Sequence, residues 1–470
     1  MAISGNPQKP ESSSDSDHEM PLIPESDWHG LDRSDWRDSV DASPWEIIGG
    51  SPKSFLSMEA LDGGWYLQLQ PEDDDSDKRL CGPLRIQRAS DGAAERFGDF
   101  LISADLYRYD GDASGFPEPI TQYHLYIDPN WYPQLPWAGY FGHLKCKENN
   151  SVSYDSGKLS FDADHHSWDR NWFPNVSAPQ QSHFEISCPQ QLVRHDDLPQ
   201  DTLRLTGEAS IGTDHYRLIA TKTSPFYRGC RLEVDVMQHR HWIPVANLRS
   251  GASESFTGVF RKTGFDIDLS DGNMDIRDAV ELTKKQLNDH LKTKQDLGFK
   301  RDETSWRLWM LVASRFDEDP DDPAERWFGF MFDSVASDDF WREGAAVFYD
   351  PLVLLGPEPK PVAHEAKGKR LGDLDVAFLR TALHEAGHAF GLIHPVDDHR
   401  LGKKEGRTIM NRTGDVKSKA TDKEPFPHNI EFAFDPQNAL LLNHSPDPKV
   451  APGWSRGFYS DATWPEFVIP

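Results

Sequence analysis

Thr381-Ala-Leu-His-Glu-Ala-Gly-His-Ala-Phe-Gly-Leu-Ile-His394 places three histidines, a glutamate and a glycine at the spacing HExxHxxGxxH. His384 and His388 are four residues apart, so on an α-helix their rings leave one face about one turn apart and can grip a single metal ion. Glu385 points to the side of that pair, within reach of a metal-bound water rather than of the metal. Gly391 stands three residues after His388, where glycine can take the left-handed conformation that ends a helix. The chain can then turn back and offer His394 as a third nitrogen. Three imidazoles plus a water make the open coordination set of a catalytic zinc, whereas a structural zinc closes its shell with protein ligands. The chain holds its own control. His364-Glu365-Ala366-Lys367-Gly368 begins the same way but lacks the second histidine, and it reads as a polar loop.

This motif, followed by a methionine turn, marks the metzincin metallopeptidases, and the chain resembles that clan from about Ser255 onward. Met410, in Thr408-Ile409-Met410-Asn411, lies 16 residues beyond His394 and looks like the methionine of that turn, an apolar floor beneath the metal. A plain core methionine is the other reading. The wording HEAGHAFGLIHP is similar to matrixin- or pappalysin-like peptidases rather than to astacin-like ones. Astacin- and serralysin-like members carry a tyrosine two residues after the methionine, where this chain has Arg412. The Asp- and Gly-rich calcium and structural-zinc loop of matrixins is not apparent upstream, so one catalytic Zn2+ is expected and further Ca2+ or structural Zn2+ is left unassigned.

The resemblance implies a zinc-dependent endopeptidase acting on protein or peptide substrates. His384, His388 and His394 would be the ligands, Glu385 the general base and then acid, and Gly391 and Met410 structural support. It also implies that residues 414–427 wall the primed-side specificity pocket. Zinc on three neutral histidines lowers the pKa of its water to roughly 7, and Glu385 would move that proton to the leaving amine. No serine or cysteine constellation argues for a covalent route. Asp397, Asp398 and His399 read as a solvated polar loop rather than as groups that orient the histidines.

The fold class this predicts is α+β: a C-terminal zincin-like domain with a twisted mixed sheet, a backing helix and the active-site helix, preceded by a β-rich sandwich or barrel. Residues 258–269 read as the lead-in. A helix should open at Asp275, with Ile276, Val280, Leu287 and Leu291 on one face. Residues 306–314 suit a strand covered on both faces, and 327–332 and 344–349 read as two more. The last is either an edge strand that pairs with an extended substrate or an interior strand. Asp373 or Asp375 can cap the active-site helix, whose inward stripe is Val376, Leu379, Leu383 and Ala386. Residues 435–444 read as a short closing helix with proline near its start.

The 470 residues suffice for two domains and a tail. Residues 1–63 read as a disordered acidic tail, since the first 50 hold 11 Asp+Glu against 3 Lys+Arg, with nine serines. Trp28, Trp36 and Trp45 stand in it, either as docking anchors for a partner or the folded body, or as incidental residues. Residues 64–250 form the β-rich region, with strand candidates at 83–86, 100–107, 123–127, 216–220 and 232–236. Its role is open: recruitment, carbohydrate or protein binding, or a covering pro-domain. Residues 251–470 are the expected catalytic domain.

All four cysteines, Cys81, Cys146, Cys188 and Cys230, fall in the β-rich region and permit two disulfides. No signal-peptide pattern opens the chain, so buried reduced thiols are expected, in a protein that is cytoplasmic or exported by a non-conventional route. Arg79-Leu-Cys81-Gly-Pro83 resembles in part the cysteine switch that holds matrixins latent, and reads equally as the start of a strand. No apolar run approaches the roughly 18 residues of a membrane-spanning helix. A net charge of −27 argues against binding nucleic acid or anionic membrane through general electrostatics. The competing function is a catalytically weak or inactive metal-binding protein whose β-rich domain serves binding or adhesion. The intact Glu385 favours the peptidase, because a purely structural site has no use for that base.

Overall fold

The computed structural model describes residues 56–73, 78–89, 98–108, 140–147, 151–167, 180–188, 203–272, 275–277, 281–294, 306–317, 327–332, 342–353, 366–397 and 406–452. Trp28, Trp36, Trp45 and the strand candidate at 123–127 lie outside them. A single helical turn, α1 (Met58–Leu61), leads into nine strands: β1 (Gly63–Pro71), β2 (Leu80–Arg88), β3 (Phe100–Arg108), β4 (Tyr140–Cys146), β5 (Val152–Asp155), β6 (Lys158–Ser167), β7 (Gln180–Ser187), β8 (Arg204–Ile211) and β9 (Asp214–Ser224). They pair antiparallel in the order β4-β3-β2-β1-β9-β8-β7-β6-β5, and a β4–β6 pairing closes eight of them into a barrel. The long β6 makes closure possible, because its first half pairs with β5 and its second half with β4. Alternation of apolar and polar residues fills the inside. Trp65, Leu67, Leu84, Ile86, Leu159, Phe161, Phe184 and Leu218 belong to one buried cluster. Phe161 and Phe184 face each other across β6 and β7 with nearly parallel rings 4.7 Å apart. Of the two all-β alternatives, this region is a barrel, which leaves few open edges.

The strand candidate at 232–236 does not join the barrel. It is part of β10 (Arg228–Val236), which enters a second sheet. After the hairpin β11 (Val245–Asn247) and β12 (Ser253–Ser255) come helix α2 (Phe256–Lys262), β13 (Phe265–Asp271), β14 (Glu281–Leu282), helix α3 (Lys284–Lys294), β15 (Arg307–Ala313), β16 (Arg315–Phe316), β17 (Gly329–Phe332) and β18 (Gly344–Phe348). Helices α4 (Asp375–Ala389), α5 (Thr413–Ser418), α6 (Pro436–His444) and α7 (Asp447–Val450) follow. The sheet order is β13-β10-β15-β18-β17, parallel except for β17. Every residue of β15 is buried, as befits a central strand covered on both faces. Leu308, Met310 and Val312 turn toward α4, and Trp309 and Leu311 toward α3.

The α+β expectation is corrected. The chain is mostly β, a closed eight-stranded antiparallel barrel plus smaller sheets with helix a minority, and not a zincin-like domain of twisted sheet with backing and active-site helices. Part of the reason is where backbone hydrogen bonds go. The helix expected from Asp275 starts at Lys284, because Ile276 forms a bridge with Met237 and β14 pairs with β16. Leu287 and Leu291 remain its buried face. Thr283 and Gln286 close a reciprocal cap: the Gln286 amide donates to Thr283 Oγ1 at 3.2 Å, and the Thr283 amide donates to Gln286 Oε1 at 2.8 Å. The edge-strand alternative for residues 344–349 is corrected too. β18 lies between β15 and β17, so β17 is the terminal strand among the described residues.

The outer wall of the barrel is joined to the C-terminal segment by buried charges. Asp105 on β3 accepts from Arg85 Nη2 at 2.5 Å, Tyr140 Oη at 2.6 Å and Arg228 Nη2 at 3.2 Å. Asp447 of α7 accepts from Arg85 at 2.7 Å, Tyr107 Oη at 2.7 Å and Arg228 at 2.9 Å. Burial alone would raise the Asp105 carboxyl, but Arg85, His143 and Arg228 outweigh it and hold it well below the ordinary range. Burial and the neighbouring Asp105 raise the Asp447 carboxyl to about 7 against the pull of Arg85 and Arg228, and ionised Asp447 completes the neutralisation of the two arginines. Asp447→Ala should therefore leave two buried guanidinium groups sharing the single Asp105 carboxylate and cost about 3–5 kcal/mol in urea unfolding. An unchanged midpoint would show that Asp447 does not neutralise them.

Candidate metal centre

Helix α4 is built from Ala, Leu, Phe, Val and Arg with no proline, and every residue after Asp375 is buried. Neither candidate aspartate is its N-cap; Leu374 is. Asp375 sits at the first helical position, where Oδ1 accepts the Val376 amide at 2.8 Å and Oδ2 accepts the Asn247 amide of β11 at 2.9 Å. Asp373 closes the preceding 3-10 turn. At the far end Gly391 has φ +75°. Its amide donates to the His388 carbonyl at 2.9 Å, and the Leu392 amide reaches back to Gly387 at 3.0 Å, the paired bonds of a Schellman stop. A Cβ on Gly391 would lie 2.5 Å from the Lys449 carbonyl, so both conformation and space require glycine there.

The turn brings His394 back over the helix. The Nε2 atoms of His384, His388 and His394 stand 3.1, 3.1 and 3.2 Å apart. Each ring is oriented through its other nitrogen. His384 Nδ1 donates to the Ile409 carbonyl at 2.7 Å, His388 Nδ1 to the Leu392 carbonyl at 2.8 Å, and His394 Nδ1 to Asp397 Oδ2 at 3.0 Å. Those partners only accept, so each Nδ1 carries the proton and each Nε2 presents a lone pair. Three lone pairs thus face one point. An ion about 2.0–2.1 Å from each nitrogen would see them at roughly 100° to one another, close to tetrahedral. The three histidines could hold a metal ion. Burial pushes His384 well below its ordinary range and His388 down to about 3, and it lowers His394 against the opposing pull of Asp397. All three are therefore neutral, as ligation requires.

Glu385 is buried beside this triangle. Burial raises its carboxyl to about 8, while Arg380 and the Met331 amide pull it down. Strand β17 comes this close because residue 329 is glycine: a Cβ there would meet Glu385 Oε1 at 2.7 Å and Thr381 Cγ2 at 2.8 Å. Met410 is fully buried with its sulfur against Gly387, 2.4 Å from where a Cβ would stand, so it packs beneath the helix between the first two histidines. Residues 408–411 do form a turn, in which the Asn411 amide donates to the Thr408 carbonyl at 3.2 Å.

Two groups escaped the reading of the sequence. Asp397 belongs to no solvated loop, since it holds His394 and accepts Arg412 Nη2 at 2.5 Å. Asp398 and His399 lie outside the described residues. Arg380, fully buried, donates to the Asn411 carbonyl and to Thr413 Oγ1 at 2.7 Å. The i+3 spacing of His394 and Asp397 was the available signal for the first; nothing local marked the second. Cys81 lies within β2, where burial pushes its thiol up to about 12, and all four cysteines are buried thiols outside any disulfide. Among the described residues the three histidines are the one group with metal-ligand geometry.

No family model matches the chain, and no curated protein matches it. His394→Ala should leave a two-histidine site that loses its ion on dialysis, read by elemental analysis. Undiminished stoichiometry would remove His394 from the ligand set.

Proposed function

We propose that this protein is a zinc-dependent endopeptidase. The observation that carries the reading is the convergence of three neutral imidazole Nε2 atoms, with the Glu385 carboxylate buried beside them. Three nitrogen ligands with an open position suit zinc better than the oxygen-seeking cations, and the HExxHxxGxxH spacing with Met410 supports a metzincin-like site chemistry. This reading rests on the site and not on the overall architecture.

When bound, zinc supplies Lewis acidity, which lowers the pKa of water and polarises a carbonyl. The remaining work falls to the chain. Glu385 takes a proton from the attacking water and delivers it to the leaving amine. A carboxyl raised to about 8 by burial is poorly ionised alone, and a neighbouring divalent cation works in the opposite direction. The Met331 amide of β17 holds the carboxylate in place. As the terminal strand of its sheet among the described residues, β17 can add an extended peptide through backbone hydrogen bonds, which favours a protein or peptide substrate with little sequence selectivity.

Glu385→Gln tests the reading. The variant should keep one ion per chain and lose casein or quenched-peptide cleavage by about 10²–10⁴-fold, and wild-type cleavage should stop when a chelator is added. Near-normal cleavage by the variant removes Glu385 from the role of base. No cleavage by ion-loaded wild-type protein overturns the peptidase in favour of a metal-binding protein whose barrel does the work.

A further inference from the structure

We infer that residues 409–412 form a positioning element that aligns the first and third histidines, with Arg412 acting on His394 through Asp397. The inference rests on the proposed metal site and adds how that site is held together.

The three histidines are not anchored alike. His388 is set by the Leu392 carbonyl, which belongs to the C-terminal stop of its own helix. His384 is set from outside the helix, by the Ile409 carbonyl. His394 lies beyond the helix on the returning chain, and its Nδ1 partner is the side chain of Asp397, three residues on. A carboxylate on a loop can swing unless its second oxygen is also held. Asp397 Oδ1 accepts Arg412 Nη2 at 2.5 Å while Oδ2 accepts His394 at 3.0 Å, so both oxygens are engaged from opposite sides. Arg412 itself is not left to wander. The buried Arg380 of α4 grips the residue on either side of it, at the Asn411 carbonyl and the Thr413 hydroxyl. The Asn411 side chain braces the same turn, its Oδ1 accepting the Gly406 amide at 2.7 Å and its Nδ2 donating to Thr408 Oγ1 at 2.8 Å. One short segment, tied to α4 by Arg380, therefore presents a carbonyl to His384 and a guanidinium to the partner of His394.

Arg412 is half exposed, with 52% of its side chain accessible, and Asp397 is 24% accessible. An ion pair that open adds little to folding. Its effect should appear in metal retention, because groups that orient metal-bound histidines typically carry a 10–100-fold share of affinity.

The test uses the full chain, stripped of metal and titrated with Zn2+ against a competing fluorescent chelator. Asp397→Ala should weaken Zn2+ binding by about 10–100-fold. Arg412→Ala should weaken it in the same direction by less, and adding it to Asp397→Ala should bring no further loss. Arg412→Lys should recover part of the affinity. The thermal midpoints of the metal-free proteins should coincide, and Co2+-loaded Asp397→Ala should show an altered d–d absorption spectrum. If wild-type protein binds one ion and both single variants bind it within twofold, the positioning role is overturned while the metal site stands. Independent, additive losses would equally overturn the route through Asp397. A wild-type chain that binds no Zn2+ overturns the site and this inference together.

Discussion

Four buried charges align this molecule. Arg85 and Asp105 stand on the outer wall of the barrel, Arg228 opens the first strand of the second sheet, and Asp447 begins α7. Each guanidinium reaches both carboxylates, and Tyr107 and Tyr140 donate to the remaining lone pairs. Groups of this kind tolerate little displacement, since a charge moved out of register inside a protein is left without compensation. The barrel wall, β10 and the C-terminal segment are thereby fixed against one another. Apolar contact alone would permit them to slide. His444 extends the same seam, accepting from Ser103 at 2.9 Å and donating to Gln87 at 2.6 Å.

That alignment reaches the three-histidine cluster through the end of α4. The backbone of Lys449 passes so close behind Gly391 that no side chain fits there, and Lys449 lies two residues beyond Asp447. The Arg342 guanidinium sits in the same place, donating to the Ala389 carbonyl at 3.3 Å and the Ala451 carbonyl at 3.1 Å. One carbonyl of the helix end, that of Ala389, is thus satisfied by a side chain from just before β18. The geometry that returns His394 to its partners is the product of three separate stretches of chain meeting at one glycine.

Much of the site was legible because its information is local. The i, i+4 spacing of His384 and His388, the glycine stop and the third histidine all act within fourteen residues, and Met410 falls on a turn beneath them. Asp397 was misread because a carboxylate three residues after a histidine looks the same whether solvated or engaged, and its second partner, Arg412, is 15 residues away. In the fold, the apolar run 306–314 could be seen as a buried strand because both its faces are apolar. The start of α3 could not, because Ile276 fits a helix face and a β-bridge equally well, and the choice is made by Met237. The α+β class failed for a related reason. It was inferred from a motif that specifies one helix and says nothing about how many strands surround it.

The sequence by itself determined the pairing of His384 and His388 on one helix face, the glycine that ends their helix and the strand character of residues 83–86, 100–107 and 216–220, since each depends on spacing along a few turns or pleats. Only the tertiary structure decided that eight strands of residues 63–224 close into a barrel, that β10 lies outside it, that β17 rather than β18 ends the second sheet among the described residues, and which acceptors orient each imidazole. Those outcomes depend on hydrogen bonds and ion pairs between residues far apart in the chain. Side-chain identity at one end of such a bond does not reveal which partner stands at the other.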